Sequence, residues 1–281
     1  SGCPYKKTYF NWSTGKSEIC ILCYPRLESG QPPACFHSCV GRIRYIGLVL
    51  YDADMIQEAA MAPSDQLVDA QRAAIQDPFD PMVIAAARRN GIPDSKIQAA
   101  QNSPVYKFVK EWKLALPPHI EYRTFPMLFY VPPLGPVTSK MENGAYETVD
   151  AGAEGLAPML AARDKSRVSL RYMASLFSAG NEDIVREVYY KLMAVRIYMR
   201  GKTVQDVTQA EVDEALALAG LSGSEAEAIF RLTSLPTYEE RFVVPPMERE
   251  TAIQAQFPDI DPLTRKASTG FGFREDPARR W

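Results

Sequence analysis

The chain has 281 residues, 46% hydrophobic and 23% charged, the composition of a soluble globular protein long enough to bury a sizeable core and to divide into two units. Its formal net charge of −2 gives no general pull toward nucleic acid or an anionic membrane, and the absence of a long basic face sets a nucleic-acid binder aside. No apolar run is long enough to cross a bilayer, so no direct membrane span is expected.

Residues 1–51 read as a compact, loop-rich module that holds all five cysteines of the chain. Thr8–Trp12 and Lys16–Ile19 flank Ser13-Thr14-Gly15 and predict a short hairpin with glycine in the turn. Pro25 and Pro32-Pro33 break the chain that follows, and Arg42–Tyr51 is the best strand candidate. Residues 52–136 turn helical and then extended. Helices are predicted over Ala53–Met61, Asp65–Gln76, Pro81–Asn90 and Asp94–Gln101, punctuated by Pro63, Asp77-Pro78, Gly91 and Pro93. Ser103 as cap and Pro104 in the first turn open a helix to about Leu116, which Pro117-Pro118 ends.

From 117 to 136, Tyr122, Phe125, Phe129 and Tyr130 are interleaved with Pro126, Pro132, Pro133 and Pro136, a pattern that predicts an extended segment lying along another surface. Residues 137–167 are weakly patterned and read as a linker or loop. Residues 168–257 read as a helical domain. Ile184, Val185, Val188, Leu192, Val195 and Met199 recur at helical spacing between Asn181 as cap and Gly201 as stop. Glu211–Ala219 and Ser224–Leu235 predict a further helix pair around Gly220 and Gly223, and residues 258–281, rich in Pro, Gly, Arg and Asp, read as an extended tail.

Chemistry concentrates in the first 39 residues. Cys20-Ile21-Leu22-Cys23 is followed, after eleven residues, by Cys35-Phe36-His37-Ser38-Cys39, with Cys3-Pro4 upstream. An odd number of thiols, two pairs of them at tight spacing, argues for metal ligation over a secreted disulfide framework, and a reducing compartment fits it. Soft thiolates hold iron in tetrahedral sulfur coordination, and the bacterial ferredoxin run C-x2-C-x2-C-x3-C-P sends its fourth cysteine to the other cluster of a pair. Cys20, Cys23, Cys35 and Cys39 follow that scheme with the second spacer lengthened, and Cys3-Pro4 reads as the end of a preceding run, with further polypeptide expected before Ser1. On this reading Cys20, Cys23 and Cys35 share one cluster, Cys39 crosses to its partner cluster and Cys3 to a member of another pair. The chain then carries ligands to three clusters and completes none alone. The expected fold class is α+β: a small ferredoxin-like iron–sulfur module followed by a mostly α-helical carboxyl-terminal region.

The alternative is a structural zinc site closed by Cys20, Cys23, Cys35 and Cys39, which leaves Cys3 unexplained. His37 between ligand cysteines reads as a neighbour and not as a Rieske-type ligand. Lys6, Lys7, Arg42 and Arg44 make the local field positive and either favour the more negative reduced state of a cluster or are simply solvated. Tyr5, Tyr9, Phe10, Trp12 and Tyr24 either shield sulfur from water or pack into the core. Asp52, Asp54 and Glu58 have no acid–base spacing, and no phosphate loop, nucleophile elbow or dinucleotide fingerprint is present.

Cys3-Pro4-Tyr5-Lys6-Lys7-Thr8-Tyr9-Phe10-Asn11-Trp12, Cys20–Arg26 and Cys39–Tyr45 resemble the beta subunit of respiratory nitrate reductase. The resemblance continues through Leu50–Asp54, Ser103–Lys107, Trp112–Pro117, Glu121–Thr124 and Tyr238-Glu239-Glu240-Arg241-Phe242-Val243-Val244-Pro245, so it covers nearly the whole chain. The beta subunit of nitrite oxidoreductase shares these motifs. The resemblance implies an electron wire with three [4Fe-4S] clusters and one [3Fe-4S] cluster, whose ligands fall outside this chain. It implies a place on the cytoplasmic face of the inner membrane, between a molybdenum-containing catalytic alpha subunit and a haem b membrane gamma subunit. It matches Cys20, Cys23 and Cys35 to one [4Fe-4S] cluster, Cys39 to a neighbouring one and Cys3 to a third. Ile19 departs from the lysine common in the family, and the wire would conduct equally for nitrate reduction or nitrite oxidation. The aromatic residues from 122 to 130 are expected to be exposed and to dock the alpha subunit, with Phe129 and Tyr130 at the contact.

Overall fold

The computed structural model describes residues 5–125, 127–134 and 170–246, together with the backbone of two strands at 139–142 and 145–148. Cys3, most of the expected linker and the expected tail 258–281 lie outside the described residues.

The predicted hairpin forms: β1 (Thr8–Asn11) pairs antiparallel with β2 (Lys16–Ile19), with Gly15 at φ 65° in the turn. Two short helices follow, α1 (Tyr24–Glu28) and α2 (Ala34–His37). The expected strand Arg42–Tyr51 is instead split into β3 (Arg44–Ile46) and β4 (Leu50–Tyr51), which join different sheets. The break falls at Gly47, where a Cβ would collide with Ser103 Oγ and come within 3.0 Å of Val105 Cγ2. The backbone bends there because another segment passes too close for a side chain.

α3 (Ala53–Met61) begins where predicted, on Asp52, whose carboxylate accepts from the Asp54 amide at 3.0 Å. The helix predicted to Gln76 ends earlier: α4 covers Leu67–Ala74, and Ile75–Gln76 becomes β5, paired antiparallel with β4. α5 (Pro81–Arg89) and α6 (Asp94–Asn102) fall on the predicted segments. Ser103 and Pro104 do open a helix, with Ser103 Oγ accepting from the Val105 amide at 3.3 Å, but it is α7 (Pro104–Tyr106) continued by a π-helical turn (Lys107–Glu111). It stops short of Leu116 because Leu116 exchanges both backbone bonds with Tyr130, at 2.9 and 2.8 Å, and Pro117 disfavours helical geometry in the residue before it.

The proline-punctuated segment is extended where it matters: β6 (Leu128–Tyr130) pairs antiparallel with β3, with Tyr45 opposite Phe129. It is not an exposed docking strip. Phe129 is 2% exposed and part of the main core, Tyr130 is half-buried, and Phe125 stands edge-on to Tyr51 at 5.2 Å. Strands β7 (Ser139–Glu142) and β8 (Ala145–Thr148) pair as a hairpin within the stretch expected as a linker.

The helical region comprises α8 (Leu170–Phe177), α9 (Glu182–Thr203), α10 (Gln209–Ala219), α11 (Gly223–Ser234) and α12 (Tyr238–Arg241). Asn181 caps α9 through the Asp183 amide. Gly201 does not stop it. The helix runs on to Thr203, and a Cβ at Gly201 would lie 2.7 Å from Val212 Cγ2, so glycine permits close approach of α10. Thr208, Ser222 and Thr237 each make a reciprocal capping box with a glutamate three residues on.

One core joins the cysteine-bearing segment to the helical region. Tyr45, from the cysteine-bearing segment, packs on Phe108 at 4.4 Å between ring centres, Phe108 meets Trp112 edge-on at 5.2 Å, and Val185, Val188 and Tyr189 of α9 belong to the same cluster. Each such side chain contributes about 1.5–3 kcal/mol by leaving water. The cysteine-bearing segment is therefore held in place by residues more than a hundred positions away.

Candidate metal centre

Cys20 follows β2, and Cys23 sits at the cap of α1. Leu22 and Cys23 both take left-handed backbone, at φ 54° and 49°, a conformation that costs a non-glycine residue about 1–2 kcal/mol. The turn is held by the Tyr24 amide on Ile21 O at 3.1 Å and the Arg26 amide on Cys23 O at 2.8 Å. Cys35 lies in α2, whose first turn follows Pro33, and Cys39 comes just after its Ser38 cap. Cys20 and Cys35 are exposed, and Cys23 and Cys39 half-buried. That exposure is unusual for free thiols, which normally pack as small hydrophobes.

Among the described residues no three or more Cys, His, Asp or Glu side chains converge to hold one ion. A structural zinc site needs four donors within about 2.3 Å of a common point. Cys20, Cys23, Cys35 and Cys39 are not gathered in that way.

The surroundings fit a larger sulfur-rich anion. Buried side-chain polar atoms without a hydrogen-bond partner among the described residues include Arg44 Nε, Tyr45 Oη, Arg241 Nε and Arg241 Nη2. Arg44, Tyr45 and Arg241 all lie within electrostatic reach of Cys39. Burial alone pushes the Cys39 thiol up, but the amides of Ile43 and Arg44 and the charges of Arg44 and Arg241 outweigh it and hold the thiol below its ordinary value. An acceptor-rich iron–sulfur group would satisfy donors that are otherwise stranded at a cost of about 1–3 kcal/mol each.

Of the basic residues near the cysteines, Lys6 and Lys7 are exposed, while three arginines tie down backbone carbonyls. Arg26 Nε donates to Pro32 O at 2.8 Å, Arg44 Nη1 to Cys35 O at 2.9 Å, and Arg42 Nη1 to Ser234 O. His37 stands edge-on to Tyr238 at 5.5 Å and to Phe242 at 6.3 Å, which gives its ring an aromatic setting. Tyr9, Phe10, Trp12 and Tyr24 are exposed, Trp12 to 88%, so core packing is not their role in this chain. Tyr5 differs: its hydroxyl meets Thr124 Oγ1 at 2.5 Å and its ring stands on Tyr122 at 5.1 Å.

Arg241 had no local signal in the sequence that tied it to the cysteines. It lies some two hundred positions from Cys39 within an unremarkable acidic–basic run. Only the packing of α12 against α2, through Phe242, Phe36, Leu27 and Ile46, brings it there.

Two family models match the chain: a 4Fe-4S dicluster domain over residues 1–49, and the respiratory nitrate reductase beta C-terminal family over residues 134–222. The first gives the cofactor class of the cysteine-bearing segment as iron–sulfur. The respiratory nitrate reductase 2 beta chain of Escherichia coli (strain K12) is 48% identical over 254 residues, 90% of this chain and 47% of that protein. The nitrate reductase beta chain of Bacillus subtilis (strain 168) is 44% identical over 280 residues, 99% of this chain and 54% of that one. The chain thus spans about half the length of these relatives. The respiratory nitrate reductase beta chain of Bradyrhizobium sp is 37% identical over 255 residues, which are 90% of this chain and 70% of that relative. With identity at this level over 90% or more of its length, and 70% of the last relative covered, the chain belongs to the respiratory nitrate reductase beta-chain family.

Proposed function

We propose that the chain is part of the electron-transfer subunit of a respiratory nitrate reductase, an oxidoreductase complex, and has no substrate site of its own. Cys20, Cys23 and Cys35 hold one [4Fe-4S] cluster, Cys39 donates to a neighbouring cluster and Cys3 to a third, in a ferredoxin-like arrangement that other polypeptide completes, along with a [3Fe-4S] cluster elsewhere in the subunit. The observation that carries this reading is the gathering of unpartnered buried donors around Cys39 within a segment matched by a 4Fe-4S dicluster model.

Such clusters, when bound, supply one-electron storage and relay. The work of this chain is to present the thiolates, to keep water from the buried side of Cys39, and to place cationic donors where added negative charge is stabilised. Left-handed backbone at Leu22 and Cys23 orients one thiol, and the Arg44 bond to Cys35 O fixes the start of α2. Electrons would enter from a haem-bearing membrane gamma subunit and leave to a molybdenum-containing alpha subunit, at the cytoplasmic face of the inner membrane. No described helix is long and apolar enough to cross a membrane, so attachment would run through the partner subunits.

Metal analysis of the purified complex tests this. Iron with acid-labile sulfide and a reducible paramagnetic signal, both diminished by Cys20→Ser or Cys35→Ser, are expected. Stoichiometric zinc without sulfide would replace the proposal with a zinc-stabilised interaction module.

A further inference from the structure

The carboxyl-terminal part of the described chain forms a strap across the cysteine-bearing segment. Ser234 O accepts from Arg42, the Tyr238 and Phe242 rings bracket His37, and Phe242 packs with Phe36 and Ile46. Farther along, Val244 O lies where a Cβ on Gly30 would come within 3.0 Å, and Pro246 O accepts from Lys96 Nζ at 2.7 Å. The strap thus meets the segment at Gly30, Phe36, His37, Arg42 and Ile46 and meets α6 at Lys96, so its position is over-determined.

In the middle of the strap sits Arg241. The residue is 8% exposed, and its guanidinium carbon lies 4.8 Å from the centre of the Phe242 ring. Nε and Nη2 are buried and have no hydrogen-bond partner among the described residues. A buried cation with stranded donors is costly unless an anion compensates it. Its electrostatic neighbours include Cys39 and Tyr45, and Tyr45 Oη is stranded too.

We infer that Arg241 is a positioning residue that sets the reduction potential of the cluster ligated by Cys39, supplying a fixed positive charge and N–H donors from a strap two hundred residues away in sequence. The inference rests on the proposed function. A cluster that gains one electron becomes more negative, so a buried guanidinium and N–H bonds to sulfur favour the reduced form and raise the potential. Tyr45, six residues after Cys39, contributes a neutral O–H donor.

The test is a potentiometric titration, followed by electron paramagnetic resonance, of the assembled complex carrying Arg241→Met, Arg241→Lys or Tyr45→Phe. Arg241→Met is expected to lower one midpoint potential and leave the others in place. Arg241→Lys, which keeps the charge and loses the planar fork, is expected to give a smaller downward shift of the same signal. Tyr45→Phe keeps the ring packing and is expected to shift that signal alone. If Arg241→Met does not assemble, the Lys and Phe variants decide. Variants with wild-type iron and sulfide whose potentials are all unmoved would overturn the inference and mean that the guanidinium is compensated by some other group. Absence of iron and sulfide from the wild-type complex would instead remove the functional reading on which it rests.

Discussion

Lys191 Nζ donates to the backbone carbonyl of Trp112 at 3.1 Å, across 79 positions, and to Glu187 Oε1 at 2.7 Å one helical turn away. Lys191 is 8% exposed, so this ammonium is a buried tie between α9 and the chain leaving the π-helical turn. Arg72 makes a second tie to the same stretch, donating to Lys113 O at 3.1 Å.

Lys191→Met should therefore lower stability by about 1–3 kcal/mol, because it leaves the Trp112 carbonyl without a donor while keeping most of the side-chain volume. Denaturant unfolding with the slope unchanged is the check. Burial pushes the Glu187 carboxyl up, but the Lys191 hydrogen bond and charge, with Arg72 and Lys113, outweigh it and hold it below its ordinary 4.5. The folded value is thus the lower one. The pair's contribution is present above pH 4.5 and is lost as pH falls through the folded value, so the gap between wild type and Lys191→Met should narrow in acid.

Gly47→Ala should destabilise by about 1–3 kcal/mol, since the added methyl meets Ser103 Oγ at the cap of α7. A Ser103→Gly partner substitution removes the colliding atom. In a double-mutant cycle the two changes should cost less together than the sum of each alone, and strict additivity would show that the collision is relieved some other way.

Phe129→Ser should act on folding and not selectively on subunit association. The ring is 2% exposed and pairs across β3 with Tyr45, so its loss should cost about 3–5 kcal/mol. A shift of the unfolding midpoint of that size, measured on the chain without partners, is the expected result. A variant as stable as wild type that fails only to assemble would restore the docking role.

Burial raises the Tyr51 phenol to about 12 from 10.0. The folded value is the higher one, so the stability due to the neutral phenol is intact below pH 10.0 and is lost as pH rises toward 12. Tyr45 is also raised to about 12 by burial and titrates in the same range. Ultraviolet difference titration should show two late phenols, one of which disappears in Tyr51→Phe, and that variant should unfold less steeply with alkali.

Local rules carried much of the chain. The hairpin at Thr8–Ile19, the helix Ala53–Met61, the Ser103-Pro104 helix start and the Asn181 cap follow from turn glycine, local composition, side-chain acceptors and proline geometry, all of which act within a few residues. Where a distant segment intervened, local rules failed. Gly201 reads as a stop but serves close helix packing, and Arg42–Tyr51 reads as one strand but is bent at Gly47 by Ser103. Phe129 reads as an exposed docking residue but lies in the core because β6 pairs with β3.

The cysteine spacing alone pointed to a thiolate-bound metal, because an odd set of thiols at short intervals suits metal ligation better than a disulfide framework. What surrounds those thiols was decided only by the tertiary structure. Arg44 and Tyr45 are sequence neighbours of Cys39, whereas Arg241 reaches it because the hydrophobic contact of Phe242 with Phe36 and Ile46 draws the strap down. Burial energy is non-directional and acts between whatever surfaces meet, so no pattern along the chain records which distant charge it will carry in.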